Sequence, residues 1–348
     1  MPGMNPPSES AATDPRLAIL QAWLDERYPG ETGAIEAVAA DASFRRYFRV
    51  HFGEGPRIVM DAPPEHEDAA RFWRLADGLR ELGLHAPAVI DGDTGRGLLL
   101  LEDMGDTTFS RALETEPDRA EALYRQAVET LATLQRNWRE ASLPLEAYDR
   151  DQLLAEVALL VDWYYPEVAG EPCPPDLHRA YFEAWDAVLP AAQGLPETMV
   201  LRDYHVDNLM VLPEASGACG LLDFQDALAG SPAYDLVSLL RDARRDVPAE
   251  LEQTLFEAFA DQRPELDRAA LERAYWILGA QRNAKIIGIF TRLARRDGKP
   301  AYLPHIERVW RLLAAELAQP ALAPVAEWFD HAIPPEWRRV PAIGESGP

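Results

Sequence analysis

The sequence predicts an α+β fold with two lobes, a small β-rich N-terminal lobe and a larger, mainly helical C-terminal lobe. The 348 residues are enough for two domains. Before residue 104, short apolar runs alternate with turn residues, which is typical of strands. From Phe109 onward, apolar residues recur at helical spacing. We therefore expect an N-terminal lobe over residues 16–104 and a C-terminal lobe over residues 105–338.

Composition and charge exclude several classes of protein. The chain is 47% hydrophobic and 26% charged, as soluble globular proteins are, and it has no apolar run near the roughly 18 residues of a membrane helix. It lacks the basic and apolar regions of a signal peptide, and we expect disordered tails over residues 1–15 and 339–348. A formal net charge of −24 disfavours nucleic acid and anionic membranes as partners. We therefore expect a cytoplasmic protein, whose oligomeric state the sequence does not predict.

The cysteine and lysine content excludes two kinds of site. Cys173 and Cys219 are the only cysteines and lack metal-ligand spacing, which favours a reducing compartment over a zinc site. A disulfide between them is the less favoured alternative. Lys285 and Lys299 are the only lysines among the 34 basic residues, and neither lies in a GxxxxGK[ST] loop. The chain is therefore not a P-loop kinase or ATPase.

The elements of the N-terminal lobe follow from apolar spacing and turn residues. Arg16–Tyr28 is predicted to be an amphipathic helix that starts after Asp14, and Glu65–Leu82 is a second one. Strands are predicted at Ala34–Ala39, Phe48–Phe52, Ile58–Met60, Ala88–Ile90 and Leu98–Leu101.

The C-terminal lobe is predicted to be mainly helical. Its aromatic residues at helical spacing are more typical of a core than of a ligand platform. The proline-rich stretch Gln319–Trp337 is predicted to be a tail that wraps the surface. Helices are predicted at Ala120–Arg136, Gln152–Tyr165, Ala180–Leu189 and Ala274–Leu293, with a further one beginning at Leu236.

One hairpin organises the candidate site. Leu209–Leu212 and Gly220–Leu222 are predicted to be its strands, and Pro213–Gly217 has the composition of a turn. In an antiparallel pair, the residue before the first strand lies beside the residue after the second. The amide of Asn208 and the carboxylate of Asp223 are therefore expected to converge.

These oxygen-bearing side chains suggest a chemistry. An amide oxygen and a carboxylate suit a hard cation such as Mg²⁺. Asp203 lies on the loop before the hairpin, where it is placed to accept a proton from an attacking hydroxyl. This arrangement is typical of phosphoryl transfer, in which positioning and charge neutralisation supply most of the catalysis. The alternative is that Asp203, Asn208 and Asp223 only cap turns, as Asp and Asn often do.

The same residues resemble a known family. Asp203-x4-Asn208 followed by Asp223-Phe224-Gln225 resembles the catalytic loop and the Asp-Phe-Gly segment of protein kinases. The segment is more similar to the aminoglycoside-phosphotransferase-like small-molecule kinases, whose loop reads His-Gly-Asp-x-His-x-x-Asn. This chain has Leu201-Arg202 at the His-Gly positions but keeps His205 in step. Gly230–Leu236 matches the family's Gly-x-x-x-x-Asp-Leu segment, whose acid braces the catalytic loop.

The resemblance implies a bilobal protein-kinase-like fold that uses ATP and Mg²⁺. Asp203 would be catalytic, and Asn208 and Asp223 would bind the metal. The acceptor would lie in the large lobe near His205, Gln225 and Asp226. Leu98–Gly105 resembles the family's hinge, in which main-chain groups would bind adenine; an acidic interdomain linker is the compatible alternative. The hinge groups would be those of Glu102 and Met104.

The phosphate-covering loop of such a fold would be Asp41–Tyr47. It is not glycine-rich, so we expect Ser43, Phe44, Arg45 and Arg46 to form the nucleotide site, with guanidinium groups binding phosphate bidentately. The alternative is that both arginines are solvated charges on an edge strand.

Two further groups of charged residues have open roles. Glu65 or Glu67 is expected to pair with Arg46 or Arg57, unless these acids are solvated in the first turn of the helix. Two residues in a polar cluster of a C-terminal helix are candidates for contacting the acceptor, although a surface position is the more usual one for lysine. They are Arg282 and Lys285.

Over residues 40–290 the chain is similar to the anomeric sugar kinases of bacterial cell-wall recycling. The similarity implies a small-molecule sugar substrate, with conversion of N-acetylmuramate and N-acetylglucosamine to their α-1-phosphates. An aminoglycoside or amino-alcohol kinase and a nucleotide-binding pseudokinase are the alternatives. The motifs that carry the similarity are Asp41–Arg49, Met60–Pro64, Leu201–His205 and Gln281–Asn283.

Overall fold

The computed structural model describes residues 14–38, 44–212 and 218–343. The chain forms two compact units. The first contains the described residues up to Arg80 together with Ala86–Gly105, and the second contains the other described residues. The first unit is β-rich and the second mainly helical, which confirms the α+β class.

An antiparallel sheet forms the first unit. Within the described residues it has five strands in the order β1-β2-β3-β5-β4. The bounds are β1 Thr32–Val38, β2 Arg46–Phe52, β3 Gly55–Asp61, β4 Val89–Asp93 and β5 Leu98–Glu102, with helices α1 Pro15–Arg27 and α2 Ala69–Glu81. All five predicted strands are present, and α2 begins four residues later than predicted.

Helix α1 covers this sheet with the apolar face that its sequence predicts. Its N-cap is Asp14, whose Oδ1 accepts hydrogen bonds from the main-chain N–H groups of Arg16 and Leu17. The buried residues of α1 and of β2, β3 and β5 form one core, into which Trp23 inserts. Packing of this kind contributes more to helix stability than intrinsic propensity does.

The second unit holds the remaining helices and two short antiparallel strand pairs. The strands are β6 Thr198–Val200 paired with β9 Leu228–Gly230, and β7 Leu209–Met210 paired with β8 Gly220–Leu221. The helices are α3 Phe109–Thr115, α4 Ala120–Asn137, α5 Arg150–Leu159, α6 Tyr165–Ala169, α7 Pro175–Val188, α8 Ala233–Leu240, α9 Ala249–Gln262, α10 Arg268–Asp297, α11 Ile306–Leu317 and α12 Ala323–Ala332.

Helices α5 and α10 touch at their backbones. A Cβ placed on Gly288 would lie 2.3 Å from the carbonyl carbon of Leu159, so only glycine permits this approach. Directly after Leu159 the helix widens to a π-helical segment, Leu160–Tyr164, before α6 begins. The predicted single helix over Gln152–Tyr165 therefore consists of α5, the π segment and the start of α6.

The prediction of a surface tail over Gln319–Trp337 is wrong. Helix α12 occupies much of this stretch and buries Val325, Trp328 and Phe329. Pro324 lies in the first turn of α12, where a helix tolerates proline because the N–H that proline lacks would have no intrahelical partner. The prolines therefore begin the helix instead of preventing it.

Among the described residues, no helix combines the length and the apolarity needed to cross a membrane. Both cysteines are free thiols, and Cys219 is buried. The alternative of a disulfide between Cys173 and Cys219 is therefore wrong for this structure.

Candidate active site

The predicted hairpin is present, and the candidate residues Asn208 and Asp223 flank its strands. β7 and β8 pair in antiparallel register, Leu209 opposite Leu221, and the N–H of Leu222 donates to the carbonyl oxygen of Asn208 at 2.9 Å. Asn208 therefore precedes the first strand and lies opposite Leu222, one residue before Asp223. The convergence of the Asn208 and Asp223 side chains stays a prediction. The strands are shorter than predicted, and the predicted turn over residues 213–217 lies outside the described residues.

Asn208 is fixed to the loop that carries Asp203. Its Nδ2 donates a hydrogen bond to the main-chain oxygen of Asp203 at 2.9 Å. A helical turn over Val206–Asn208 shortens the path between them, and the N–H of Asn208 donates to the His205 carbonyl at 2.9 Å. Because the amide nitrogen is engaged with the backbone, the amide oxygen is the atom left for a ligand.

Asp223 has a backbone conformation that is uncommon for its residue type. Its φ is +55°, and among the described residues only Arg202 shares a positive φ without being glycine. Gln225 Nε2 donates to Asp223 Oδ1 at 2.8 Å and so orients the carboxylate. Backbone strain of this kind is concentrated at functional sites.

Asp235 braces the loop from behind, as the resemblance implied for this position. Its Oδ2 accepts from the N–H of Leu201 at 2.6 Å, and its Oδ1 accepts from the N–H of Arg202 at 2.9 Å. Burial raises the pKa of Asp235 to about 7, against the opposing effect of these two donors. The two bonds fix the main chain immediately before Asp203.

The donor set of the hairpin suits Mg²⁺. Asn208 and Asp223 offer oxygen atoms, and Mg²⁺ is usually held by one or two carboxylates together with substrate phosphates and water. Across the residues that the structure describes, no three His, Cys, Asp or Glu side chains form a metal-binding cluster. The binding of a metal by Asn208 and Asp223 stays a prediction.

The three residues predicted to lie near the acceptor have different environments. His205 is buried, and burial together with Arg244 and Arg282 lowers its pKa to about 3, so its imidazole is neutral. Gln225 is buried and holds Asp223, while Asp226 is exposed. Their substrate contacts stay a prediction.

Lys285 is not a surface lysine. Its Nζ donates to Glu156 Oε1 at 2.8 Å and lies 3.4 Å from the Tyr234 hydroxyl, and its side chain is 13% exposed. The lysine is held inside because Glu156 supplies the buried counter-charge. Its contact with the acceptor stays a prediction.

Arg282 is buried on the same helix, α10, with an exposure of 4%. Within the described part of the chain, its Nη1 has no hydrogen-bond partner. Its charge lowers the pKa of His205, after the larger effects of burial and of Arg244. Arg282 thus lies close to the catalytic loop, which agrees with its candidacy for the acceptor site.

In the first unit, Glu67 pairs with Arg45 and not with Arg46 or Arg57. The Nη1 of Arg45 lies 3.0 Å from Glu67 Oε2, and Arg45 is 6% exposed. The expected pairing of Glu65 or Glu67 with Arg46 or Arg57 is therefore wrong. The backbone places Arg45 just before β2 and Glu67 just before α2, where their side chains meet.

Arg46 has different partners. Its Nη2 lies 2.6 Å from Asp61 Oδ2, and its Nη1 forms an ion pair with Asp14. Strand β2 lies between β1 and β3, so the alternative of solvated arginines on an edge strand is wrong for both Arg45 and Arg46. Binding of phosphate stays a prediction for Arg45. For Arg46, whose guanidinium is already bound by Asp61 and Asp14, we revise the prediction and expect a structural role.

The remaining candidates of the nucleotide site are also in the first unit. Phe44 is 61% exposed and stacks on His66 at 4.0 Å between ring centroids, whereas Ser43 lies outside the described residues. The N–H of Glu102 donates to the Ala88 carbonyl at 2.9 Å, which engages it within the sheet. Met104 lies two residues after the end of β5.

An arginine fixes the segment around Met104. Arg49 binds Asp103 with two hydrogen bonds, Nε to Oδ2 at 2.6 Å and Nη2 to Oδ1 at 3.0 Å. Bidentate pairs of this type add geometric specificity as well as energy. The residue between Glu102 and Met104 is therefore held by β2.

Sequence reasoning missed the carboxylate that organises the polar cluster of the second unit. Glu156 lies in α5 and contacts Arg202 and Lys285, which are far away in sequence. No motif surrounds it. The one usable signal is that two cations in an apolar context, at Arg202 and Lys285, require a buried acid.

Comparison with protein families gives a match over most of the chain. The model described as the phosphotransferase enzyme family (APH) matches residues 34–272. This range contains most of β1, all of β2 to β5, and the hairpin region with Asp203, Asn208 and Asp223.

Two relatives are similar along nearly their whole length. The N-acetylmuramate/N-acetylglucosamine kinase of Caulobacter vibrioides is 37% identical over 346 residues, covering 87% of this chain and 93% of that protein. The kinase of the same name from Neisseria meningitidis serogroup B is 37% identical over 302 residues, covering 84% of this chain and 88% of that protein.

Solved structures share the fold at lower identity. Choline kinase LicA from Streptococcus pneumoniae has a TM-score of 0.57 and 13% identity, with 92% of this chain and 98% of that chain covered. The ADP-bound aminoglycoside phosphotransferase APH(2″)-Ib has a TM-score of 0.57 and 17% identity, with 90% and 99% covered. These likenesses confirm the expected kinase-like fold.

Proposed function

The chain is a small-molecule kinase of the phosphotransferase enzyme family, and we propose that it phosphorylates the anomeric hydroxyl of N-acetylmuramate and N-acetylglucosamine with ATP as donor. The observation that carries the proposal is the 37% identity to kinases named for these two sugars. The motifs at Leu201–His205 and Gln281–Asn283, which resemble those of anomeric sugar kinases, support the same acceptor.

Asp203 accepts the proton of the attacking hydroxyl in this proposal. The anomeric oxygen attacks the γ-phosphorus, the bond from that phosphorus to the bridging oxygen of ADP breaks, and the hydroxyl proton passes to the Asp203 carboxylate. The bonds from Asp235 to the loop and from Asn208 to the Asp203 carbonyl hold the carboxylate in place. Such positioning supplies most of the catalysis in phosphoryl transfer.

Asn208 and Asp223 would hold Mg²⁺ together with the ATP phosphates. The metal neutralises phosphate charge when it is bound. Gln225 supports this role because its amide orients the Asp223 carboxylate.

In the first unit, one arginine would contact the ATP phosphates, and main-chain groups at and just after the end of β5 would contact adenine. Arg45, held by Glu67, is the cation that would contact the phosphates where other kinases use a lysine. Main-chain groups at Glu102 and Met104 would contact adenine, with the Glu102 carbonyl as the acceptor because its N–H is engaged in the sheet.

An assay of ADP release tests the proposal. Purified protein with Mg-ATP is given N-acetylmuramate, N-acetylglucosamine, an amino alcohol and an aminoglycoside, and we expect turnover with the two N-acetylated sugars. The methyl 1-glycoside of N-acetylglucosamine, which has no free anomeric hydroxyl, is the matched control and should give none. Turnover with the glycoside, or preference for the aminoglycoside, contradicts the proposed acceptor; ATP binding without any turnover contradicts kinase activity.

The proposed place of the reaction is the cytoplasm, where it would return amino sugars released from peptidoglycan to metabolism. The similarity to the anomeric sugar kinases of cell-wall recycling supports this assignment.

A further inference from the structure

The carboxylate of Glu156 connects three elements of the second unit. Its Oε1 accepts from Arg202 Nη2 at 2.7 Å and from Lys285 Nζ at 2.8 Å. Its Oε2 accepts from Gln281 Nε2 at 3.0 Å and from the Tyr148 hydroxyl. Burial would raise the pKa of Glu156, but Lys285 and Arg202 outweigh burial and lower it to about 2. Glu156 is therefore an ionised carboxylate that is bound by two cations and two neutral donors.

Arg202 links this carboxylate to the catalytic loop. Its φ of +71° is a conformation that glycine adopts without steric cost and that arginine does not. Both ends of the residue are held, since its N–H binds Asp235 and its guanidinium binds Glu156. The arginine thus supplies what glycine lacks at this position, an anchor one residue before Asp203.

Lys285 is the second cation that Glu156 holds, with Nζ 2.8 Å from Glu156 Oε1 and 3.4 Å from the Tyr234 hydroxyl. Burial lowers the pKa of Lys285, whereas Tyr234, Glu156 and Asp203 raise it, and the net shift is upward. The ammonium group therefore lies in the field of both carboxylates. Two cations, Arg202 and Lys285, therefore share one buried acid.

We propose that Glu156 is a positioning residue for phosphoryl transfer, which fixes the main chain at Arg202 and the ammonium group of Lys285 so that the Asp203 carboxylate meets the acceptor hydroxyl. Glu156 acts through these two residues and touches neither substrate. The inference rests on the proposed function only in that Asp203 is taken as the proton acceptor.

The Glu156→Gln variant tests this role because it keeps the size of the side chain and removes its charge. We expect kcat to fall about tenfold or more, because small misplacements of reacting groups are costly, with the KM values for ATP and sugar within about twofold of wild type. Glu252→Gln is the matched control. Glu252 has a side-chain exposure of 17%, against 13% for Glu156, and it accepts from Arg241 Nη1 at 3.0 Å and from the Tyr275 hydroxyl at 2.9 Å. That control should lower Tm and leave kcat unchanged.

Substitutions at Arg202 test the same positioning role with variants other than Glu156→Gln, so the test stands even if Glu156→Gln does not fold. Arg202→Gly keeps the backbone conformation without the anchor and should lose kcat as Glu156→Gln does, while Arg202→Lys should restore part of it. Glu156→Gln combined with Arg202→Gly should lose less than the product of the two single losses, because both changes break the bond between Glu156 and Arg202. Any loss beyond that of Arg202→Gly alone measures the contribution of the bond to Lys285.

Several results would overturn the inference. One is a kcat for Glu156→Gln or Arg202→Gly within twofold of wild type. Another is a raised sugar KM at unchanged kcat, which would make Glu156 a binding residue. A loss of kcat in Glu252→Gln equal to that in Glu156→Gln would make it a structural effect. If wild type itself turns over neither sugar, the proposed acceptor fails, and the same variants are compared with whichever acceptor is active.

Discussion

The side-chain nitrogen of Asn208 donates a hydrogen bond to the main-chain oxygen of Asp203, with 2.9 Å between the two atoms. This bond joins the residue proposed to bind the metal to the residue proposed to accept the proton. It also turns the amide oxygen of Asn208 away from the loop backbone. One side chain therefore sets the geometry of both functions.

Replacing Asn208 should impair both metal binding and the positioning of Asp203. We expect Asn208→Ala to lower kcat by about 100-fold or more and to raise the Mg²⁺ concentration needed for half-maximal activity, because it removes an oxygen ligand and releases the loop. Turnover measured against Mg²⁺ concentration checks this. Asn137→Ala is the control, since Asn137 makes the same type of bond, to the Leu82 carbonyl at 2.9 Å. An unchanged Mg²⁺ dependence in Asn208→Ala would remove the metal role.

Substitution of Arg45 and substitution of Arg46 should have different effects on ATP affinity. Arg45→Ala should weaken ATP binding about tenfold, or about 1.4 kcal/mol, because a phosphate contact is lost. Arg46→Ala should leave ATP affinity within about twofold and lower Tm, since its guanidinium binds Asp61 and Asp14. Calorimetric titration with ATP distinguishes them. Equal losses of affinity would mean that both contact phosphate, and no loss in Arg45→Ala would remove its assigned role.

Activity should depend on the ionisation of Asp235. Its pKa of about 7 lies above the usual 3.8, so at acid pH the folded protein carries a proton there and one acceptor of the brace is weakened. We expect kcat to fall as the pH drops through about 7. The folded state binds this proton more tightly than the unfolded chain does, so between pH 3.8 and 7 this group adds stability as the pH falls.

Asp235→Asn separates this effect from the titration of other groups. The variant should have a low kcat that does not change near pH 7, and the acid-side increase in stability due to Asp235 should be absent from its Tm profile. A wild-type step near pH 7 that persists in Asp235→Asn would assign the step to a different group.

The contact between α5 and α10 should be sensitive to one methyl group. Gly288→Ala would place a Cβ 2.3 Å from the Leu159 carbonyl carbon, and we expect it to reduce the free energy of unfolding by roughly 1–3 kcal/mol, as overpacking does. Gly194→Ala is the control, because a Cβ there meets no atom within 4 Å. Denaturant titration compares them. Equal stability of the two variants would show that the helices move apart at little cost.

Local rules predicted much of the fold. The alternation of residues in β2, the capping of α1 by Asp14 and the hairpin after Asn208 each depend on interactions within a few residues. The tail prediction failed because proline was treated as a breaker, although Pro324 lies where a helix accepts it. Element ends were also misplaced, as at α2, because helix limits depend on what the surrounding chain buries.

The candidate site also has features that local sequence predicts and features that depend on distant parts of the chain. The position of Asn208 before the first strand of the hairpin, and of Asp223 after the second, follows from strand pairing that the sequence determines locally. The partners of Glu156 and the choice of Arg45 by Glu67 depend on elements far apart in the chain, and the sequence offers several arginines of equal charge. Long-range packing determines which arginine lies beside Glu67, so the residue types alone could not predict the ion pair.

Product identification with N-acetylglucosamine, Mg-ATP and either wild type or Asp203→Asn tests the central claim most directly. Phosphorus NMR should show a phosphate resonance coupled to the anomeric proton in the wild-type reaction and none with Asp203→Asn, although the variant still binds ATP. Undiminished turnover by Asp203→Asn, or a phosphate attached to a different hydroxyl, would contradict the account.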